Sequence, residues 1–134
     1  MKPLVIEGTD VTPEIVFNPE NCLFEISGCS RPEDVRDFYY PVLNWLEKCK
    51  NKILEQKAKY EEKPITFNFK FSYFNSSSAK FIFDIITEIN TFYLEGINIK
   101  IYWCFDEEDD DMKEAGEDLS EMCNIPFNYI TIKH

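Results

Sequence analysis

Reactive side chains cluster in three places in this chain: the hydroxyl run Ser76-Ser77-Ser78, introduced by Tyr73-Phe74-Asn75; the carboxylate run that opens Asp106-Glu107-Glu108-Asp109-Asp110-Asp111; and five cysteines, Cys22, Cys29, Cys49, Cys104 and Cys123. A hydroxyl run of this kind does one of two things. It caps a helix, taking hydrogen bonds from the first-turn N–H groups, or it accepts a phosphoryl group, which gains from the helix dipole and brings close to two negative charges. One cap does not need three serines. The carboxylates suit a solvated helix start, a surface for a partner or a cation site, although their order does not follow that of an EF-hand and its mid-loop Gly. An odd number of cysteines without a C-x-x-C spacing points to buried thiols, with a redox pair such as Cys22 and Cys29 as the alternative.

Other chemistries are excluded by scarcity. The 134 residues contain a single His, His134, and four Gly, so a Ser-His-Asp or Cys-His engine, a zincin helix, a P-loop and a dinucleotide fingerprint all lack their residues. No metal or cofactor is expected. The net charge is −11, from 25 acids against 14 bases, and only Arg31 and Arg36 are Arg. Such a chain is poorly suited to a phosphate backbone, so no nucleic-acid partner is expected. A 44% hydrophobic, 16% aromatic composition is too apolar for an acidic disordered tail. No apolar run is long enough to span a bilayer and Met1-Lys2-Pro3 opens no signal peptide, so membrane insertion is not expected and a cytoplasmic protein is.

The elements that must position these groups follow from periodicity. Three short extended segments, Leu4 to Glu7, Glu14 to Phe17 and Cys22 to Ser27, are separated by turns at Pro13, Asn18-Pro19 and the Gly28 region. From Pro32 onward, Val35, Phe38, Val42, Trp45 or Leu46, Cys49 and Ile53 recur at helical spacing, with Ser30 as an upstream cap. Pro41 demands a kink, or a helix that begins anew near Tyr40, and the charged tail continues towards Pro64. Residues 65–73 alternate, placing Ile65, Phe67, Phe69, Phe71 and Tyr73 on one dry face. The pattern returns at 97–105, where Ile97, Ile99, Ile101, Trp103 and Phe105 share a face. Between them a helix spans about 76–94, with Ile82, Ile85, Ile86, Ile89 and Tyr93 as its buried stripe and Gly96 as its left-handed stop.

A third helix at about 108–122 and a strand over 127–132 complete the order βββαβαβαβ over a single domain, residues 1–134. Strand, helix, strand with short connections implies parallel pairing. Strands buried on both faces would read as continuous apolar runs, whereas these alternate. The expected class is therefore α/β: a mixed sheet with its helices packed on one face and the other face at least partly wet.

Gly8-Thr9 with Thr12-Pro13, then Tyr73-Phe74-Asn75-Ser76-Ser77-Ser78, then Trp103-Cys104-Phe105-Asp106-Glu107 leading to Pro126-Phe127, resemble the SiaC-like family of bacterial regulatory phosphoproteins. The likeness covers nearly the whole chain. It implies a fold similar to STAS-type anti-sigma factor antagonists and a non-enzymatic partner switch. A dedicated protein kinase would phosphorylate the hydroxyl directly after the motif's Asn, a PP2C-type phosphatase would reverse this, and the unmodified form would bind and activate a diguanylate cyclase, promoting cyclic-di-GMP signalling and biofilm formation. Carried onto this sequence, the phosphoacceptor is Ser76, where the family places Thr. The wider antagonist families put their phosphoserine one position later, which points to Ser77, and Ser78 completes the set.

From the residues alone, two other functions stay open. A small-ligand or nucleotide-binding module could use the same helix start at 75–78, and a divalent-ion hydrolase or transferase could use the acidic run. Residues 106–121 hold ten acids against Lys113, a net of −9, which leaves −2 for the rest of the chain. The acidity is one concentrated segment.

Overall fold

The computed structural model describes residues 1–133; the one imidazole, His134, lies outside them. Its sheet is laid down in chain order: β1 (Leu4–Ile6), β2 (Glu14–Asn18), β3 (Leu23–Ser30), β4 (Ile65–Phe74), β5 (Ile99–Asp106) and β6 (Asn128–Ile132). The first three strands pair antiparallel, and β3 through β6 pair parallel. Each parallel step is crossed by a helix, α1 (Val35–Glu55), α2 (Ser76–Leu94) and α3 (Asp110–Cys123), which gives the expected βββαβαβαβ order.

All three helices cover one face. Ile15, Phe17, Phe24, Phe67, Phe69 and Trp103 project from that face into a core shared with Val42, Leu46, Ile85 and Ile89 of the helices. Each such side chain, fully removed from water, stabilises the fold by roughly 1.5–3 kcal/mol. The opposite face is mixed: Glu25 on β3 and Lys70 on β4 form an ion pair of 2.9 Å there, Asn68 and Tyr102 flank it, and Val16, Cys104 and Ile130 share that side. One layer of helices over a half-wet sheet explains why the strands alternate.

The structure departs from the periodicity in particular places. Helix α1 passes through Pro41 without ending, and its cap is Asp34, whose carboxylate accepts the Asp37 N–H at 3.1 Å; Ser30 ends β3 instead of capping. Pro41 is on the exposed side of the helix, where water can serve the carbonyl of Asp37 that Pro cannot. The helix stops at Glu55, and a 3-10 turn, Lys57–Tyr60, replaces the expected charged tail. Gly28 is no turn. It sits within β3 with φ +103°, where the pairing with β4 slips by one residue, so that Gly28 faces Phe71 but Cys29 faces Tyr73. Past this bulge the faces exchange: Tyr73 is exposed, and Phe74 turns inward against Phe71 and Trp103. On α2 the last buried position is Phe92, which packs edge-on to Phe67, while Tyr93 faces solvent. Strand β5 begins two residues later than expected, with Ile97 buried in the loop before it. Cys22 precedes β3 and Cys29 nearly ends it, a separation of about 20 Å along an extended chain that rules out their pairing. All five thiols are free, and all but Cys29 are buried.

Candidate functional site

The parallel strands β3 to β6 end at one edge of the sheet, and that edge gathers Ser30, Asn75 to Ser78 and Asp106 to Asp111. A single residue, Asn75, separates β4 from α2. Its backbone is extended (φ −84°, ψ 174°), and its side-chain oxygen accepts the Ser78 N–H at 2.9 Å while its carbonyl accepts the Ala79 N–H. This is the capping role that the Asn-Ser-Ser-Ser run suggested.

The three serines have different surroundings. Ser78 is completely buried, as is Ser30 at the end of β3. The Ser78 hydroxyl donates to the Ser30 carbonyl at 3.0 Å, and the Ser30 hydroxyl donates to Ser78 Oγ at 2.9 Å. Ser30 Oγ also lies 2.5 Å from the Tyr39 hydroxyl of α1. A hydroxyl has one proton to give, so Tyr39 is the donor in that last contact. The result is a one-way chain, Tyr39 to Ser30 to Ser78 to the Ser30 carbonyl, which ties α1, β3 and the first turn of α2 together. Burial pushes the Tyr39 phenol up to about 12, against the smaller lowering effect of its serine neighbours. Ser78, expected as an alternate acceptor, is thus enclosed in the core at this edge, unlike its two neighbours. Ser76 and Ser77 are exposed in the first turn of α2. Lys80, one turn further, is the nearest base along the helix; it pairs with Asp84 at 2.7 Å.

The acidic run divides by task. Asp106 ends β5 and accepts the Glu108 N–H, and Asp109 caps α3 by accepting the Met112 N–H at 3.0 Å. Asp110 and Asp111 occupy the favourable first turn, and Glu107 and Glu108 are exposed. Among the described residues no group of three His, Cys, Asp or Glu side chains could hold a metal ion. The serine motif and the acidic run meet in space: Tyr73 and Phe74 line a hollow of about 250 Å³ together with Asp109, Asp111, Met112 and Ala115. Beside it, between α2 and α3, lies a larger apolar trough of about 410 Å³ built on Phe74, Phe83, Ala115 and Leu119.

Helix α3 is seated firmly. Trp103 donates its indole N–H to the Met112 carbonyl at 2.9 Å, and Gly116 rides directly on the ring, where an added Cβ would stand 2.4 Å from it. Ser30, Tyr39, Gly116 and Trp103 carry no local motif. Their roles come from contacts between residues far apart in the chain; the sequence marked Trp103 as a buried strand residue and Ser30 as a helix cap, and neither reading gives the partner found here.

This is a small mixed α/β protein with one helical layer, whose parallel edge presents two exposed serines at a helix start. Its sequence matches the profile of the SiaC family of regulatory phosphoproteins over residues 6–132, and the chain belongs to that family. It is similar to apo-SiaC from Pseudomonas aeruginosa, with a TM-score of 0.81 at 25% identity over 97% of this chain and 99% of that one. A second similar structure, with a TM-score of 0.79 at 23% identity over 98% and 99% of the chains, is that of the diguanylate cyclase SiaD in complex with its activator SiaC from the same organism. An uncharacterised protein of P. aeruginosa strain UCBPP-PA14 is 25% identical over 127 residues, covering 95% of this chain and 94% of its own. Among the described residues no helix is long and apolar enough to cross a membrane.

Proposed function

We propose that this chain is a non-enzymatic partner switch in which the unmodified form binds and activates a diguanylate cyclase and phosphorylation of Ser76 breaks that contact. A protein kinase transfers the phosphoryl group to Ser76 Oγ, and a PP2C-type phosphatase removes it; the output is control of cyclic-di-GMP signalling and biofilm formation. The observation that carries the reading is the sorting of the serine run: Ser78 is locked in the core, while Ser76 and Ser77 stand exposed at a helix start in a chain of the SiaC family. Ser76 follows the capping Asn75 directly, as the family's acceptor hydroxyl does. The cyclase is taken from the complex of SiaC with SiaD.

The mechanism is local. A phosphate on Ser76 brings close to two negative charges to the head of α2, where the free N–H groups and the dipole stabilise it on the protein. A partner covering that edge must strip water from the dianion, and burying an imperfectly paired charge costs several kcal/mol. Affinity falls even though the helix beneath is unchanged. The test compares wild type, Ser76→Ala and Ser76→Asp for binding and activation of the cyclase from the same organism. Ser76→Ala is expected to bind constitutively, and Ser76→Asp to bind at least tenfold more weakly. A Ser76→Asp chain that activates the cyclase as wild type does would refute the reading.

A further inference from the structure

We propose that β6 is a docking edge for a second protein, which adds an extended segment of alternating apolar and basic (Lys or Arg) residues as an antiparallel seventh strand of the sheet. The edge is separated by β5 from β4, the strand that leads to Ser76, and the inference does not rest on the partner-switch reading. Strand β5 is bonded by alternate residues of β6: the Ile132 carbonyl accepts the Glu107 N–H at 3.1 Å, and Asn128 and Ile130 share the orientation of Ile132. The N–H and C=O groups of Tyr129 and Thr131 therefore point away from β5, along the rim of the sheet. All five residues of β6 are exposed, Tyr129 at 41% and Ile130 at 44%. Folded proteins usually blunt such an edge with short strands, prolines, bulges or charges. The far edge of this sheet is blunted: β1 has three residues and Pro3 precedes it. Strand β6, Asn-Tyr-Ile-Thr-Ile, contains no proline, charge or register shift.

Register and charge identify the occupant. Ile130 and Ile132 lie on the open face of the sheet with Cys104, so an added strand meets apolar surface there. Tyr129 and Thr131 lie on the helical face, beside α3. Burial and, to a smaller extent, the nearby Glu117 carboxylate push the Tyr129 phenol up, against the lowering effect of its hydrogen bond with Ser120. Asp110 and Glu121 stand on the same flank of α3 as Glu117, with Lys113 the one base among them, and the whole of residues 106–121 carries −9. Basic side chains on the helical face are complementary to this flank, and acidic ones would be repelled. A second copy of this chain is the poorer occupant, because its β6 would bring a second α3 with the same excess of acid against the first. In an antiparallel pair, residues directly opposite share a face and exchange their N–H and C=O groups. The residues opposite Tyr129 and Thr131 are thus the basic ones, and their backbone makes the bonds.

The probe is a capped peptide of about nine residues alternating Lys with Val or Thr, titrated into the isotopically labelled full chain at low ionic strength. Beside it run a counterpart with Glu for Lys and two N-methylated forms, one methylated at the Lys residues and the other at the Val and Thr residues. The Lys peptide is expected to shift the amides of residues 128–133 and to slow hydrogen exchange at Tyr129 and Thr131, which in the free chain exchange faster than Ile130 and Ile132. Methylation at the Lys residues is expected to weaken binding about tenfold or more, and methylation at the others by no more than about twofold. Thr131→Pro removes an outward N–H and leaves the ladder with β5 intact, and it is expected to cost about tenfold; the exposed change Glu117→Lys is expected to cost about fivefold. The methylated peptides meet the wild-type chain, so the outcome does not depend on how Thr131→Pro folds. Equal binding of the Glu peptide, full binding after methylation at the Lys residues, shifts centred away from β6, or a homodimer that already protects the Tyr129 and Thr131 amides would each overturn the assignment.

Discussion

The hydrogen-bond chain beneath the phosphoacceptor makes an ordered prediction for four variants. Ser30→Ala takes from the Tyr39 O–H the acceptor it uses and leaves only the Ser78 hydroxyl near it, and Ser78→Ala takes from the Ser30 O–H its acceptor; in each case a buried donor loses its hydrogen bond, at about 1–3 kcal/mol. Tyr39→Phe orphans no donor, because Ser30 keeps its bond to Ser78, so it costs only the net value of one hydrogen bond, about 0.5–1.5 kcal/mol. The double variant Tyr39→Phe/Ser30→Ala removes the donor that Ser30→Ala alone strands. It should therefore be no less stable than Ser30→Ala, with a coupling of about 1 kcal/mol or more between the two sites. For 134 residues the entropy of unfolding is about 0.28 kcal/mol/K, so 2 kcal/mol lowers Tm by about 7 °C. Urea and thermal unfolding of the four proteins measure this directly. Strictly additive losses, or a Tyr39→Phe that costs as much as Ser30→Ala, would refute the direction assigned to the chain and the structural separation of Ser78 from its neighbours.

Other consequences follow from single contacts. Gly116→Ala drives a methyl into the Trp103 ring and should destabilise by about 1–3 kcal/mol, with a change in Trp fluorescence as α3 lifts; a neutral Gly116→Ala would show that α3 is not seated as described. Asn75→Ala removes the cap of α2 at a cost of about 1 kcal/mol, whereas Asn75→Asp should retain the cap, both read by chemical denaturation. Burial raises the Tyr39 phenol to about 12 from an ordinary 10 and the Cys49 thiol to about 12 from 9, so both stay protonated when the unfolded chain has ionised. The unfolded state then binds fewer protons, and stability should fall as pH rises from about 9 to 12, less steeply in Tyr39→Phe and in Cys49→Ala. Iodoacetamide should label Cys29 well before the other four thiols in the native protein, as mass spectrometry after brief exposure can show.

Much of the positioning frame was legible because it is written in short-range patterns. Helix α2 runs from Ser76 to Leu94 as its stripe of isoleucines and the Gly96 stop indicate, and the alternation of Phe67, Phe69 and Phe71 gives both the strand and the one-sided helical layer. What was not legible depends on partners distant in the chain. The exchange of Tyr73 for Phe74 on the buried face accompanies a register shift in which Ser72 is the extra residue opposite the Gly28-Cys29 step of the neighbouring strand, and the alternation of residues 65–73 does not announce it. The same holds at the site: three adjacent serines look equivalent until Ser30 and Tyr39 claim one of them. The proximity of the acidic run to the serine motif likewise follows from the parallel pairing of β4 and β5, since Asp109 and Asp111 are more than thirty residues from Phe74.

The most direct test of the central claim is to separate the chain, purified from its native cells, into phosphorylated and unphosphorylated fractions, map the phosphate by fragment mass spectrometry, and titrate each fraction into the diguanylate cyclase of the same organism. Phosphate is expected on Ser76, with cyclase binding confined to the unphosphorylated fraction. Phosphate found only outside residues 76 and 77, or two fractions that bind the cyclase equally, would contradict it.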